Sequence, residues 1–384
     1  MCCAALPSRD SFASQVTESG VPLCGSSHAY TFAFASYGSI YLSSGKGTGS
    51  CRLTSPLAGK EPRRAPDGRR VAFLSGVGTG GDGTGAENSV HVLTVGENGH
   101  RSLDTVLHTN ERLHGKLLWS PDSHALAFLD GPNLWLWRVS CGCSSQAMGG
   151  SSAVPVRSFD WSPDSRRLAV YRASSSEFPI ARIPVSILDV RTRTISTVLV
   201  RFPPNIGNPR TGAGSYPSQL IGWTSNNHVL LGTSGWGIGV ALTGIWSALA
   251  TGGPARLMVG GRSHGYGVSG PVLLNADAAL LSPDGRRLLI DSNTRFWVGS
   301  EDGRFIRWLS PRLGRSCGLT QFSWVSNTVV NFVTVCTTGT PRLFFSLSTL
   351  STSGGGLERI ATAHSHDRAG LSIAPPVRCF CGAG

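Results

Sequence analysis

Trp119-Ser-Pro-Asp-Ser-His-Ala-Leu-Ala-Phe128 recurs as Trp161-Ser-Pro-Asp-Ser-Arg-Arg-Leu-Ala-Val170 and as Leu281-Ser-Pro-Asp-Gly-Arg-Arg-Leu-Leu-Ile290. Arg64-Ala-Pro-Asp-Gly-Arg-Arg-Val-Ala-Phe73 follows the same pattern without the leading aromatic. Weaker copies open at Trp223-Thr-Ser-Asn-Asn227 and Trp324-Val-Ser-Asn-Thr328. From Pro66 to Ser326 the five intervals average about 52 residues, the size of one four-stranded unit of a radial β repeat.

The chemistry of the unit is readable. Pro then Asp at the two central turn positions, followed by Gly, favours a type I turn whose last residue goes left-handed. That turn closes a hairpin between the Trp-bearing strand and the next one. Ser123 and Ser165 stand where Gly68 and Gly285 stand in other copies, at some local strain. The second strand puts Val71, Leu126, Leu168 and Leu288 on one face with Phe73, Phe128, Val170 and Ile290, and small Ala72, Ala127 and Ala169 on the other. A third strand follows, as in Val90-His-Val-Leu93, Leu134-Trp-Leu-Trp137, Val185-Ser-Ile-Leu188, Phe296-Trp-Val298 and Leu343-Phe-Phe345. Most of these run into a Gly-containing turn such as Glu97-Asn-Gly99 or Glu301-Asp-Gly303. Phe32-Ala-Phe-Ala-Ser-Tyr-Gly-Ser-Ile-Tyr-Leu42 is an earlier copy that lacks the Pro-Asp turn. The expected fold is therefore all-β, a single β-propeller of seven four-stranded blades, with six blades as the alternative. The propeller is placed at 30–372, after an N-terminal extension (1–29) expected to be poorly ordered and before a C-terminal tail (373–384).

At these residues the chain resembles the TolB-like, WD-repeat-related β-propellers of bacteria, whose blade reads Trp-Ser-Pro-Asp-Gly, a branched strand, then an Ile-Tyr or Leu-Trp strand before Asp-Gly. The resemblance covers about residues 30–350. It implies the propeller and not TolB's partners, because that family carries an α/β domain before its propeller and the 29 preceding residues cannot hold one. Some peptidases of the prolyl-oligopeptidase type carry such a propeller before a hydrolase domain; about 35 residues follow the last recognisable strand here.

Composition agrees with many short strands and tight turns: 49 Gly, 22 Pro and 15% charged residues. Net charge is +12, but the cations are 31 Arg and only Lys46, Lys60 and Lys116, spread along the chain. Diffuse charge of this kind predicts no specific nucleic-acid partner. Val229 to Ala255 is uncharged over 27 residues, yet its seven glycines and Pro254 read as two strands and a loop, so no membrane span is expected. Ten cysteines permit disulfides if the chain is exported, with Cys317 and Cys336 flanking one hairpin the best-placed pair. No signal peptide is visible in residues 1–20, which leaves localisation open between a cytosolic chain and one whose start lies upstream.

Motifs of known chemistry lack their context. Gly261-Arg-Ser-His-Gly265 matches a nucleophile elbow but lies among Gly and Ser between blades rather than between strand and helix. Gly76-Val-Gly-Thr-Gly-Gly81 matches a dinucleotide fingerprint, but Gly83 to Asn88 cannot be the helix that would hold a pyrophosphate. Ser44-Gly-Lys-Gly47 lacks the first Gly and the Ser/Thr of a phosphate loop. Cys141-Gly-Cys143 and Cys379-Phe-Cys381 could offer four thiolates to zinc; free thiols or separate disulfides are the preferred reading, so no metal and no cofactor is expected. The recurring tryptophans read as packing between blades, and the pairs Arg69-Arg70, Arg166-Arg167 and Arg286-Arg287 as exposed strand starts on one face.

In an up-and-down blade the Pro-Asp and Asp-Gly turns share one face, so long segments such as 75–88, 172–183, 203–218, 232–243 and 258–273 share the other. Binding residues concentrate on such loops. His114, Arg172, Arg210, Tyr216, Trp236, His264 and Tyr266 are the candidate ligand contacts, around the central mouth. The function expected is non-catalytic binding or scaffolding by a monomer, with a protein or carbohydrate partner. The alternative is a propeller lyase or glycan-acting hydrolase with its site at the channel mouth.

Overall fold

A computed structural model describes residues 32–364 apart from segments 37–38, 44–49, 55–58, 77–88, 96–100, 109–112, 114–115, 152–153, 173–181, 204–206, 209–212, 236–241, 261–277, 292–295, 310–316, 338–342 and 354–356. These residues form seven sheets of three to five strands, and no helix occurs among them. Strands follow one another outward within a blade, as in Leu118–Trp119, Ala125–Asp130, Asn133–Arg138 and Cys143–Met148 of the third blade, and Gly253–Pro254 of the fifth blade adds parallel to the outer edge of the fourth. The architecture is a seven-bladed β-propeller, and the six-blade alternative falls. The first blade shows three strands, Phe32–Ser36, Ser39–Ser43 and Ser50–Arg52, where four were expected.

Seven apolar clusters hold the sheets, and each straddles one seam between neighbours. Ala72, Leu74, Val90 and Val92 of blade two pack against Trp119, Leu126, Phe128 and Trp137 of blade three. Ala125 and Ala127 on the opposite face of blade three pack against Phe159, Trp161, Leu168 and Val170 of blade four. The alternation of large and small residues along the second strand thus serves two seams at once. Phe32, Phe34 and Tyr41 meet Val333, Leu347 and Ile360 of blade seven, which closes the ring. Closure leaves each blade a covered neighbour on both faces.

Both hairpin turns of a blade lie on one face, as the topology requires. A backbone hydrogen bond joins them in blades two to seven: Val95 to Arg69, Val139 to His124, Val190 to Arg166, Ala250 to Asn227, Glu301 to Arg286 and Thr352 to Thr328, each N–H donating to C=O at 2.7–3.0 Å. One expected loop is corrected. Segment 203–218 is not irregular throughout, because Gly207–Asn208 pairs with an 11-residue strand, Ala213–Trp223. The uncharged stretch from Val229 likewise supplies strands His228–Gly235 and Leu242–Leu249. Among the described residues no helix is long and apolar enough to cross a membrane.

Candidate functional site

The recurring tryptophans are seam residues. Trp119, Trp161 and Trp223 are at most 6% exposed. The indole N–H of Trp119 donates to Arg63 O at 2.9 Å, that of Trp161 to Leu118 O at 3.1 Å, and that of Trp324 to Leu280 O at 3.1 Å. Each reaches the innermost strand of the preceding blade, whose free edge would otherwise leave carbonyls unpaired in the interior. Trp223 departs from the pattern and donates to Asn227 Oδ1 at 3.2 Å.

The turn face is equally committed. Ser123 and Ser165 do adopt the left-handed conformation, at φ 64° and 61°, beside Gly68 at 74° and Gly285 at 70°. Their hydroxyls explain why serine stays: Asp67 N donates to Ser123 Oγ at 2.9 Å and Asp122 N to Ser165 Oγ at 3.0 Å, each linking one turn to the next blade. Asn327 plays the same part for Asp284 N at 3.0 Å. Each turn Asp caps its own turn, as Asp164 Oδ1 accepts from Arg166 N at 3.1 Å. Despite the burial penalty, the Ser162 hydroxyl, the Arg166 amide and the nearby guanidinium groups hold its carboxyl below the usual range. The paired arginines divide their labour. Arg167 lies 4.9 Å from the Trp223 ring, and Arg287 Nη1 donates to Asn327 O and Thr352 Oγ1, at 3.2 and 3.1 Å. Arg69, Arg166 and Arg286 are exposed.

The innermost strands enclose a central cavity of about 530 Å³, lined by Arg63, Lys116, Asp160, Gln219 and Asn331 among apolar neighbours. Sequence reading missed this set. Asp160 occupies a strand position that the neighbouring blades fill with Leu118 and Gly222, and Lys116 stands two residues before strand Leu118–Trp119. The Lys116 ammonium donates to Phe159 O at 2.6 Å, and Asp160 Oδ2 accepts the Trp223 N–H at 2.8 Å. Ser158 Oγ accepts the Leu220 N–H at 2.7 Å. Gly222 makes room: a Cβ there would lie 2.9 Å from Asp160 Oδ2 and 2.9 Å from Leu281 Cβ. Burial raises the Asp160 carboxyl, partly opposed by Lys116; burial lowers Lys116, partly opposed by Asp160. Burial also lowers the Arg63 guanidinium to about 10, against the pull of Glu61. The signal available in the sequence was slight: Lys116 is one of three lysines, and Asp160 directly precedes a motif tryptophan.

Of the expected contacts, Arg172 is half-buried at the end of strand Arg167–Arg172, on the face remote from the Pro-Asp turn. Tyr216 lies on strand Ala213–Trp223, opposite Ser234 and seven residues before Trp223, so it shares that face. His114, Arg210, Trp236, His264 and Tyr266 lie outside the described residues. Cys317 and Cys336 face each other across adjacent strands and are disulfide-bonded, as their spacing suggested. Cys141 and Cys143 are bonded to each other, which removes them as zinc thiolates, while Cys379 and Cys381 lie outside the described residues. Cys51 is also disulfide-bonded. Among the described residues no group of three His, Cys, Asp or Glu is placed to hold a metal.

No family model and no curated protein matches the chain. Solved structures do. A periplasmic gluconolactonase of Pseudomonas aeruginosa is similar at TM-score 0.53 and 14% identity, over 90% of this chain and 96% of that one. An oligogalacturonate lyase solved with manganese is similar at TM-score 0.53 and 13% identity, over 89% and 85%. A TolB chain of Agrobacterium tumefaciens aligns at TM-score 0.40 and 12% identity, over 82% and 84%. At these identities the likeness to the gluconolactonase and the lyase is one of fold alone.

Proposed function

We propose that the chain is a non-catalytic binding propeller that takes a protein or glycan partner on the face remote from the Pro-Asp turns, around the central mouth. The observation that carries the reading is how the inner-strand charges are used. Lys116 and Asp160 hold the main chain of the next blade, so these two buried ionisable groups of the cavity fix the scaffold. The turn face is spent in the same way on inter-blade bonds. Arg172 and Tyr216 stand at the other face, and the sequence puts Arg210, Trp236, His264 and Tyr266 in segments expected to connect strands there. Aromatic rings with polar tips and guanidinium groups suit a partner that is part apolar and part hydrogen-bonding.

The enzyme reading has its own support in two similar structures that are named as enzymes, a lactonase and a lyase. Incubating the chain with gluconolactone and with oligogalacturonate, with and without manganese, separates the readings. Binding without turnover of either substrate is the expected result. Turnover that is lost in Arg210→Ala or His264→Ala variants of unchanged stability would replace the binding reading with the catalytic one.

A further inference from the structure

The Cys141–Cys143 disulfide stands at the tip of the turn between strands Asn133–Arg138 and Cys143–Met148, and both cysteines and Gly142 are exposed. Gly142 has φ 58°, and a Cβ added there would meet no atom within 4 Å. The sulfurs are therefore open to an incoming thiol. We propose that this pair is a surface thiol–disulfide exchange site that oxidises accessible dithiols.

The fold does not need the bond. The hairpin is already held by the pairs Leu136↔Ser145, Trp137↔Ser144 and Arg138↔Cys143 and by Val139 N donating to His124 O at 3.0 Å. Equivalent turns close without sulfur: Asp189 Oδ1 accepts from Arg191 N and Thr192 N at 3.0 and 2.8 Å in blade four. Asp302 accepts from Arg304 N in blade six. A cross-link between residues two apart also removes little chain entropy, so folding does little to keep it closed. Cys317–Cys336 is the internal contrast, since it spans 19 residues, ties two strands of one blade and is half-buried. Exposed disulfides of low structural value are the exchangeable ones.

The chemistry balances with a dithiol as reductant. One donor thiolate attacks Cys143 Sγ, the Sγ–Sγ bond breaks, and Cys141 departs as thiolate from a mixed disulfide. The second donor thiolate then attacks the donor sulfur, freeing Cys143 and closing the donor's disulfide. Two electrons pass to the protein, and each cysteine thiolate takes a proton. Oxidised glutathione, itself reduced to two thiols, returns the pair to the disulfide.

The test uses the full chain, first oxidised with glutathione disulfide, then equilibrated in glutathione buffers of increasing reducing strength and trapped by alkylation. Cleavage after arginine places Cys141 with Cys143 in peptide 139–157, and Cys317 with Cys336 in peptide 316–342, so mass spectrometry reads each pair alone. The expected result is that Cys141–Cys143 opens at a reducing ratio at least about 100-fold milder than Cys317–Cys336, about 60 mV apart, with the β-sheet circular dichroism unchanged. One equivalent of dithiothreitol is oxidised rapidly per wild-type chain and none by Cys143→Ser. Opening of both pairs together, loss of sheet on opening, failure of the pair to form, or equal dithiothreitol oxidation by Cys143→Ser would overturn the proposal.

Discussion

The two faces of the ring use their residues in opposite ways. On the turn face, many polar side chains of the repeat contact their own turn or the next blade, Ser123 and Ser165 at turn amides, Arg167 at Trp223, Arg287 at Asn327 and Thr352, while Arg166 and Arg286 stay exposed. The segments expected to connect strands on the other face differ in length and composition from blade to blade, Gly-rich at 75–88 and rich in Pro and Asn at 203–212. The contrast teaches that repetition here marks structure. A residue recurs because each seam poses the same unpaired edge. Lys116 and Asp160 show that a residue occurring once can also serve a seam, so it is the unlike segments of the other face that are left to answer to a partner.

The comparison can be broken at the seams. Trp161→Ala removes a ring 4% exposed from the seam of blades three and four, together with its bond to Leu118 O. A loss of about 3–5 kcal/mol in urea unfolding is expected; unchanged stability would mean that the ring serves something other than packing. Asp160→Ala leaves the Trp223 N–H without its acceptor and should cost about 1–3 kcal/mol. Asp160→Asn, which can still accept that bond, should cost less, and equal losses would show that charge rather than hydrogen bonding matters there.

Adjacent arginines sharpen the contrast further. Arg167→Ala gives up the contact with Trp223 and should lower stability by about 1 kcal/mol, whereas exposed Arg166→Ala should change it by less than about 0.5 kcal/mol. Equal effects would contradict the division assigned to the pair. The smallest effect belongs to Ser165→Gly, where relief of a left-handed serine offsets the lost bond to Asp122 N and thermal unfolding should barely move. Ser165→Ala keeps the strain without the bond and should be clearly worse.

These unequal roles also explain what the sequence could reveal. The fold was legible because turn chemistry and strand alternation repeat in one register, so Trp119, Trp161 and Trp324 could be assigned to seams before any coordinates. Lys116 and Asp160 were not legible, because each occurs once and its partner is a backbone group 43 or 63 residues away. The strand at Ala213–Trp223 was hidden by Gly214 and Pro217, which read as loop. Register shifts at Pro217/Gln219 and Leu220/Gly222 show how the ladder absorbs them.

The division between faces is tested most directly by binding. A glycan array probed with the wild-type chain supplies the ligand; two variants of matched stability are then titrated with the best binder. Arg210→Ala/Tyr216→Ala/His264→Ala removes proposed ligand contacts, and Arg69→Ser/Arg166→Ser/Arg286→Ser alters the exposed half of the arginine ring. The account predicts at least about a tenfold loss of affinity in the first, which is about 1.4 kcal/mol, and less than a twofold change in the second. Binding that survives the loop changes and disappears with the arginines would contradict it.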